Sequence, residues 1–130
     1  MSAAVLDTSA LIAFIFDEAG AVKVETWLDE GGIASTVVLQ ELVTRLLREG
    51  FNTADAEEAV ENLDLPWHDH TAELARAAAG LYSITRPFGL SHGDRSCLAL
   101  ATALDLPAVT ADREWASVGS QLSVAVELIR

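Results

Sequence analysis

Hydrophobic and polar positions form two kinds of pattern along the chain. Short apolar runs bounded by glycine, proline or polar residues are typical of buried strands. Between them lie longer stretches in which apolar residues recur every three or four positions, and this period predicts amphipathic helices. The predicted strands are residues 3–7, 33–35, 65–68, 107–111 and 122–129, and the predicted helices are residues 8–20, 21–30, 36–49, 53–63, 71–84 and 92–104.

Polar and glycine residues mark the expected ends of these helices. Thr8 or Ser9 is the predicted N-cap of the first helix, and Gly20 lies near its predicted end. Thr53 is the predicted N-cap of the acidic helix over 53–63, and Gly50 is the stop signal of the helix before it.

Strands that alternate with helices predict an α/β fold in which a parallel sheet carries helices on both faces. We expect about four to five short strands. No internal repeat, low-complexity tract or linker interrupts the 130 residues. A chain of this length buries roughly two-thirds of the surface of its unfolded form, so one core suffices. The sequence therefore predicts a single domain over residues 1–130.

The distribution of apolar residues bears on location. The longest uninterrupted apolar run, from Ala10 to Phe16, has seven residues, well short of the roughly 20 that a membrane helix needs. The first residues carry no basic region and no small-residue cleavage site, so no signal peptide is predicted. Cys97 is the only cysteine, which excludes an internal disulfide and suits a reducing compartment. We expect a cytoplasmic protein without a membrane segment.

Charge narrows the classes of ligand. The chain has 20 acidic and 8 basic residues, a formal charge of −12. Such a surface repels phosphate, which argues against nucleic-acid binding unless metal ions or a local arginine patch reverse the field. Between Glu73 and Asp94 the only charged residues are Arg76 and Arg86. Any electropositive face is therefore expected to include that stretch.

Four acids occupy related places in the predicted fold. Asp7 and Asp112 directly follow or end predicted strands, at the carboxyl edge where open α/β sheets bind ligands. Asp94 lies in the first turn of the helix that precedes the strand over 107–111, and this start should lie at the same edge. Glu41 lies in the second turn of the helix that follows the strand over 33–35. The four carboxylates are therefore expected to converge.

Asp94 and Glu41 also have local explanations. Ser91 and Asp94 have the spacing of a capping box, in which the fourth residue accepts a hydrogen bond from the N-cap amide. Glu41 precedes Arg45 by four residues, the favoured order for a helical ion pair worth a few tenths of a kcal/mol.

Asp7 and Asp112 have capping explanations as well. Asp7 is a possible cap of the first helix, although Thr8 and Ser9 can cap it without a charge. Asp112 is a possible cap of a short helix over 113–119. These local roles explain each acid separately but not why all four should meet.

A divalent cation explains the convergence. Like charges held close together raise each other's pKa and destabilise the fold unless a cation compensates. Hard ions such as Mg²⁺ bind carboxylate and water oxygens and need neither cysteine nor histidine. Four acids can hold one ion, or two about 4 Å apart, and such sites activate water for phosphodiester hydrolysis. This chemistry reconciles an acidic protein with a phosphate substrate.

Four segments resemble the successive motifs of the PIN domain, and in particular of the toxin nucleases of VapBC toxin-antitoxin pairs. The segments are VLDTSALIA, LQELVTRL, LSHGDRSCLALA and AVTADREWA, and the resemblance spans essentially the whole chain. It implies a VapC-type endoribonuclease toxin that depends on Mg²⁺ or Mn²⁺. It also implies a homodimer held inactive by a cognate VapB-type antitoxin.

The resemblance also assigns roles to residues. The acidic quartet that would bind metal and carry catalysis comprises Asp7, Glu41, Asp94 and Asp112. The supporting positions are Thr8, Ser9, Thr110 and Arg95, of which Thr8 or Ser9 would orient Asp7 or a water molecule. Glu114 stands where some members carry a fifth acid, and His92 stands where relatives often have a small or apolar residue, so both are further candidates.

The sequence supports other kinds of functional site less well. Cys97 lies on an apolar helical stretch and is expected in the core rather than as a thiol nucleophile. The His68–His70 tract lacks further ligands and is expected to form a strand-to-helix turn. Trp27, Trp67 and Trp115 are expected in the core or in an interface.

Two rival functions are a PIN-like module that binds RNA or protein without cleaving it and a phosphorelay receiver. The receiver needs a lysine near a late strand, and the only lysine is Lys23.

Overall fold

The computed structural model describes residues 2–130, which form an α/β fold around one five-stranded sheet. All neighbouring strands are parallel, and their order is β3-β2-β1-β4-β5. The predicted fold class and all five strands are confirmed. The strands are β1 (Ala4–Leu6), β2 (Gly32–Ser35), β3 (Trp67–His68), β4 (Ala108–Thr110) and β5 (Val126–Leu128).

Eight helices connect or flank the strands in residues 2–130. None of them has the length and apolarity to cross a membrane. The helices are α1 (Thr8–Ile15), α2 (Ala21–Gly31), α3 (Thr36–Arg48), α4 (Thr53–Glu61), α5 (Ala72–Gly80), α6 (Tyr82–Thr85), α7 (His92–Leu104) and α8 (Trp115–Leu122), and a 3-10 turn covers Arg86–Phe88.

The core lies on both faces of the sheet. Residues of the central strand β1 alternate between the faces, with Leu6 packed in one hydrophobic cluster and Val5 in the other. Cys97 and Trp115 are fully buried in the second cluster, as expected of core residues. Because both faces of β1 are covered, its residues are uniformly apolar rather than alternating with polar ones.

The first helix departs from the prediction at both ends. It ends at Ile15 instead of Gly20, and Gly20 has φ +94° and precedes α2. A Cβ at position 20 would overlap the backbone of Ile129, so this glycine permits a close approach between chain segments and does not stop a helix. Asp7, rather than Thr8 or Ser9, takes the N-cap position, and its side chain makes no capping hydrogen bond.

Other boundaries also differ from the prediction. The predicted helix over 71–84 is divided into α5 and α6 at Leu81, and the cap of α4 is Asn52 rather than Thr53. Helix α8 extends to Leu122, so β5 is shorter than the predicted strand over 122–129. In the sequence analysis, a short helix over 113–119 was only a possibility, and α8 corresponds to it.

Candidate active site at the carboxyl edge of the sheet

All four acids of the predicted quartet line one cavity of about 390 Å³. Asp7 follows β1, Asp94 lies in the first turn of α7, and Asp112 follows β4. Glu41 comes from the second turn of α3. The parallel sheet therefore brings together carboxylates from four distant segments, at the edge where the sequence predicted them. The cavity is also lined by Thr8, Ser9, Ile12, Glu18, Arg45 and Arg130.

Asp7 is the most buried of these acids, with 3% of its surface exposed. Its Oδ2 accepts hydrogen bonds from the hydroxyls of Ser9 at 2.8 Å and Thr110 at 2.9 Å. Burial, helped by the charge of Asp94, raises the pKa of Asp7 to about 6, while these hydrogen bonds oppose the rise. The fold therefore holds a carboxylate whose ionised form lacks full compensation.

Asp94 belongs to the predicted capping box. Its Oδ2 accepts from the backbone N–H of Ser91 at 2.9 Å, and the Ser91 hydroxyl accepts from the backbone N–H of Asp94. Burial is the largest influence on this carboxyl and raises its pKa, and the charge of Asp112 adds to the rise. The capping role and a place in the acidic cavity are thus both present in one residue.

Glu41 is paired with Thr8 and not with Arg45, the partner that its local spacing allows. Its Oε1 accepts from the Thr8 hydroxyl at 2.8 Å. Arg45 instead pairs with Glu49 at 3.0 Å, so the ion pair that was the alternative explanation of Glu41 does not form. The two spacings from Arg45 are equal, but the fold turns Glu41 inward toward α1, and only Glu49 stays on the solvent side.

Asp112 belongs to a local hydrogen-bond network with Thr110 and Ser9. Its Oδ1 accepts from the backbone N–H of Glu114 at 3.0 Å, which satisfies a donor before α8 begins. Its own N–H donates to the Thr110 hydroxyl at 3.1 Å, and the hydroxyls of Thr110 and Ser9 are 3.2 Å apart. Ser9 and Thr110 therefore couple the Asp7 and Asp112 segments.

Three of the remaining candidates lie outside the acid cavity. Arg95 is buried, with 8% of its surface exposed, and its guanidinium donates a hydrogen bond to the Leu90 carbonyl at 2.9 Å. Its Nη2 lies 3.1 Å from Nδ1 of His92, which faces a neighbouring groove. Glu114 is exposed and does not line the cavity. Cys97 is fully buried, and burial raises the pKa of its thiol, which opposes thiolate chemistry.

The sequence reasoning missed Gly93. A Cβ at this position would overlap both carboxylate oxygens of Glu41, so the absence of a side chain lets Glu41 lie against α7. The available signal was a glycine in the first turn of a helix beside a candidate acid, because glycine is costly there without a packing reason.

The donor set fits a hard divalent cation by its chemistry, because several carboxylates and hydroxyls face one cavity. Burial and the charge of Asp94 raise the pKa of Asp7, and a bound cation would offset both effects on the ionised form. Among residues 2–130, however, no three His, Cys, Asp or Glu side chains already form a group that could hold a metal. Each acid accepts hydrogen bonds from donors of the protein, which a bound metal ion would have to share or displace.

Comparisons with known proteins bear on the family and the fold of the chain. The PIN domain family matches residues 4–121. No significant match is found among curated protein sequences. A chain of the DNA-bound VapBC complex from Salmonella typhimurium has 16% identity and a TM-score of 0.77, with 100% of each chain covered. A chain of VapBC-5 from Mycobacterium tuberculosis has 23% identity and a TM-score of 0.69, covering 98% of this chain and 99% of that one.

A third similar structure is a chain of VapBC2 from Rickettsia felis bound to a promoter DNA fragment. It has 16% identity and a TM-score of 0.74, covering 96% of this chain and 97% of that one. At these identities the structures establish likeness of fold, and the family match covers most of the sequence. The chain belongs to the PIN domain family.

Proposed function

We propose that the protein is a metal-dependent endoribonuclease that acts as the toxin of a toxin-antitoxin pair. PIN domains are generally nucleases, and the observation that carries the proposal is the meeting of Asp7, Glu41, Asp94 and Asp112 in one cavity at the carboxyl edge of the sheet. The substrate is RNA, and the reaction is hydrolysis of a phosphodiester bond.

Each side chain has a role in this proposal. Asp7, Asp94, Asp112 and Glu41 would hold Mg²⁺ or Mn²⁺. When bound, such an ion activates water and stabilises charge on the attacking and leaving oxygens. Ser9 and Thr110 orient Asp7 through hydrogen bonds to its Oδ2, and Thr8 orients Glu41 in the same way.

The proposed partner is a small VapB-type antitoxin. The similar structures from Salmonella typhimurium, Mycobacterium tuberculosis and Rickettsia felis are VapBC complexes. An arginine from such a partner suits the acid cavity, because a guanidinium pairs bidentately with carboxylates. We further propose that the chain forms a homodimer within the toxin-antitoxin complex, in a cytoplasmic setting.

Cleavage of a structured RNA by the purified chain tests this function. We expect cleavage with Mg²⁺ or Mn²⁺, none with EDTA, and suppression when the cognate antitoxin is added. Sequencing the 5′ ends of the products identifies the cleavage sites, and light scattering of the same preparations tests the dimer. Binding of RNA or antitoxin without cleavage at any metal concentration would instead favour a catalytically silent PIN-like binding module.

Gly93 provides a test of the role of Glu41. Gly93→Ala is expected to displace the Glu41 carboxylate, break its hydrogen bond from Thr8 and weaken Mn²⁺ binding. The fold should persist, because Glu41 ends in a flexible group and alanine favours a helix over glycine by about 1 kcal/mol. Titration calorimetry measures the Mn²⁺ affinity, and thermal unfolding checks the fold.

Two further variants make this test specific. Gly80→Ala is the matched control, because Gly80 is also helical and a Cβ there meets no atom within 4 Å. The double variant Gly93→Ala with Glu41→Asp shortens the acid by one methylene and is expected to recover part of the Mn²⁺ affinity. Parental affinity in Gly93→Ala alone would exclude Glu41 from the metal site.

A further inference from the structure

A groove of about 440 Å³ adjoins the acid cavity on the side of α3. Thr8, Glu41 and Arg45 line both, so the groove and the cavity are continuous at Glu41. We call it the arginine groove, since Arg45 and Arg48 are its cations. Its other polar walls are Gln40 and Thr44 of α3 and His92 at the start of α7.

The arginines lead away from the acids along α3. Glu41, Arg45 and Arg48 are separated by four and three residues, so they lie on one face of the helix. At a rise of 1.5 Å per residue, Arg48 lies about 10 Å along the axis from Glu41. A strand with one phosphate at the acid cavity would therefore pass its neighbouring phosphates over cations rather than over more acids.

Both arginines are available to a ligand. The Arg45–Glu49 pair is exposed, with 43% and 45% of the side-chain surfaces accessible, and such surface pairs contribute little to stability. Arg48 is exposed and makes no salt bridge within residues 2–130. Arg76 and Arg86, which the sequence pointed to, line neither the groove nor the acid cavity.

The position of these arginines in the last turn of α3 also suits the helix dipole, which favours cations there by about 0.3–1 kcal/mol. That effect accounts for the sign of the charge. It does not require a groove, an opposing wall from α7 or continuity with the acid cavity. In a protein with a net charge of −12, a cationic path into an acidic site is what a polyanionic substrate needs.

We propose that the arginine groove binds the backbone of single-stranded RNA next to the phosphate that is cleaved. Arg48 and Arg45 contact the phosphates through their guanidinium groups, which suit bidentate recognition. Gln40 and Thr44 supply neutral polar contacts along the same path. This inference rests on the proposed ribonuclease function and extends it to the path of the substrate.

Salt dependence of RNA binding tests the groove. The full chain carrying Asp94→Asn, which prevents cleavage, is titrated with a fluorescent single-stranded RNA oligonucleotide over a range of KCl concentrations. The slope of log K against log salt is negative, and adding Arg48→Ala is expected to reduce its magnitude by about 0.7, the value for one phosphate contact on a single strand. Arg76→Ala removes the same charge from an exposed position on α5 and should leave the slope unchanged.

The outcomes separate the possibilities. Equal slopes for Arg48→Ala and Arg76→Ala overturn the proposal, and so does a loss of thermal stability in Arg48→Ala with unaltered RNA binding. A parental RNA slope together with weakened antitoxin binding reassigns the groove to the protein partner. If the parent binds no RNA at all, the proposed function fails together with the groove. If the chain with Asp94 intact cleaves RNA and Arg48→Ala leaves the binding slope unaltered, only the groove fails.

Discussion

Asp94→Asn is expected to lower RNA cleavage by more than about 100-fold while the protein stays folded. Loss of a partner that merely supports a metal ligand already costs about 10- to 100-fold, and this change removes the charge of a proposed ligand itself. The fold should persist because the asparagine oxygen can still accept the hydrogen bond from Ser91 that Oδ2 of Asp94 accepts. Single-turnover cleavage at saturating Mn²⁺ measures the effect.

Asp105→Asn is the matched control for this experiment. Asp105 lies at the opposite end of the same helix, is exposed, and has φ +53°, a conformation that asparagine also tolerates. The control removes the same charge and should keep parental activity. Full activity in a folded Asp94→Asn protein would remove the central claim about the acid cavity.

The second large effect concerns stability without metal. The pKa of Asp7 is raised from 3.8 to about 6, so between these values the folded protein binds more protons than the unfolded chain. The free energy of unfolding therefore falls as pH rises through this window, by about 3 kcal/mol for this group alone. Asp7→Asn removes the penalty, so in EDTA the variant is expected to be the more stable protein at about pH 7.5 and similar to the parent near pH 4.

Metal should offset most of this difference at neutral pH. The parent is expected to gain about 2.7 kcal/mol at 100 times the dissociation constant of Mn²⁺, and Asp7→Asn should gain much less. Urea unfolding of both proteins with EDTA and with millimolar Mn²⁺ measures the four values. Asp17→Asn is the control. It removes the same charge from an exposed position, and asparagine tolerates the φ of +52° that Asp17 has. Identical metal responses in the parent and Asp7→Asn would contradict a shared metal site.

Capping cannot produce the same pattern at Asp7. Substitution of a capping acid lowers the free energy of unfolding by roughly 0.5–2 kcal/mol whatever the metal concentration. Asp7 makes no side-chain capping hydrogen bond. Asp94 and Asp112 do accept backbone hydrogen bonds at helix starts. Asp7 is therefore the acid whose stability effect reports on the site without a capping contribution.

The sequence by itself determined the sheet and the location of the acids. Apolar periodicity records which side chains are buried, and this is a local property of each segment. The rule that ligands bind at the carboxyl ends of parallel strands then placed Asp7 and Asp112 together. The Ser91–Asp94 capping box was predictable for the same reason, because it depends on residues three apart.

Only the tertiary structure decided which distant groups touch. Local spacing favoured Arg45 as the partner of Glu41, but the Thr8 hydroxyl takes that place. Gly20 had the appearance of a helix stop, and its close approach to Ile129 depends on how α2 begins beside the end of the sheet. Contacts of this kind join residues far apart in the chain, and their geometry follows from the packing of whole elements, which a pattern of nearby residues does not contain.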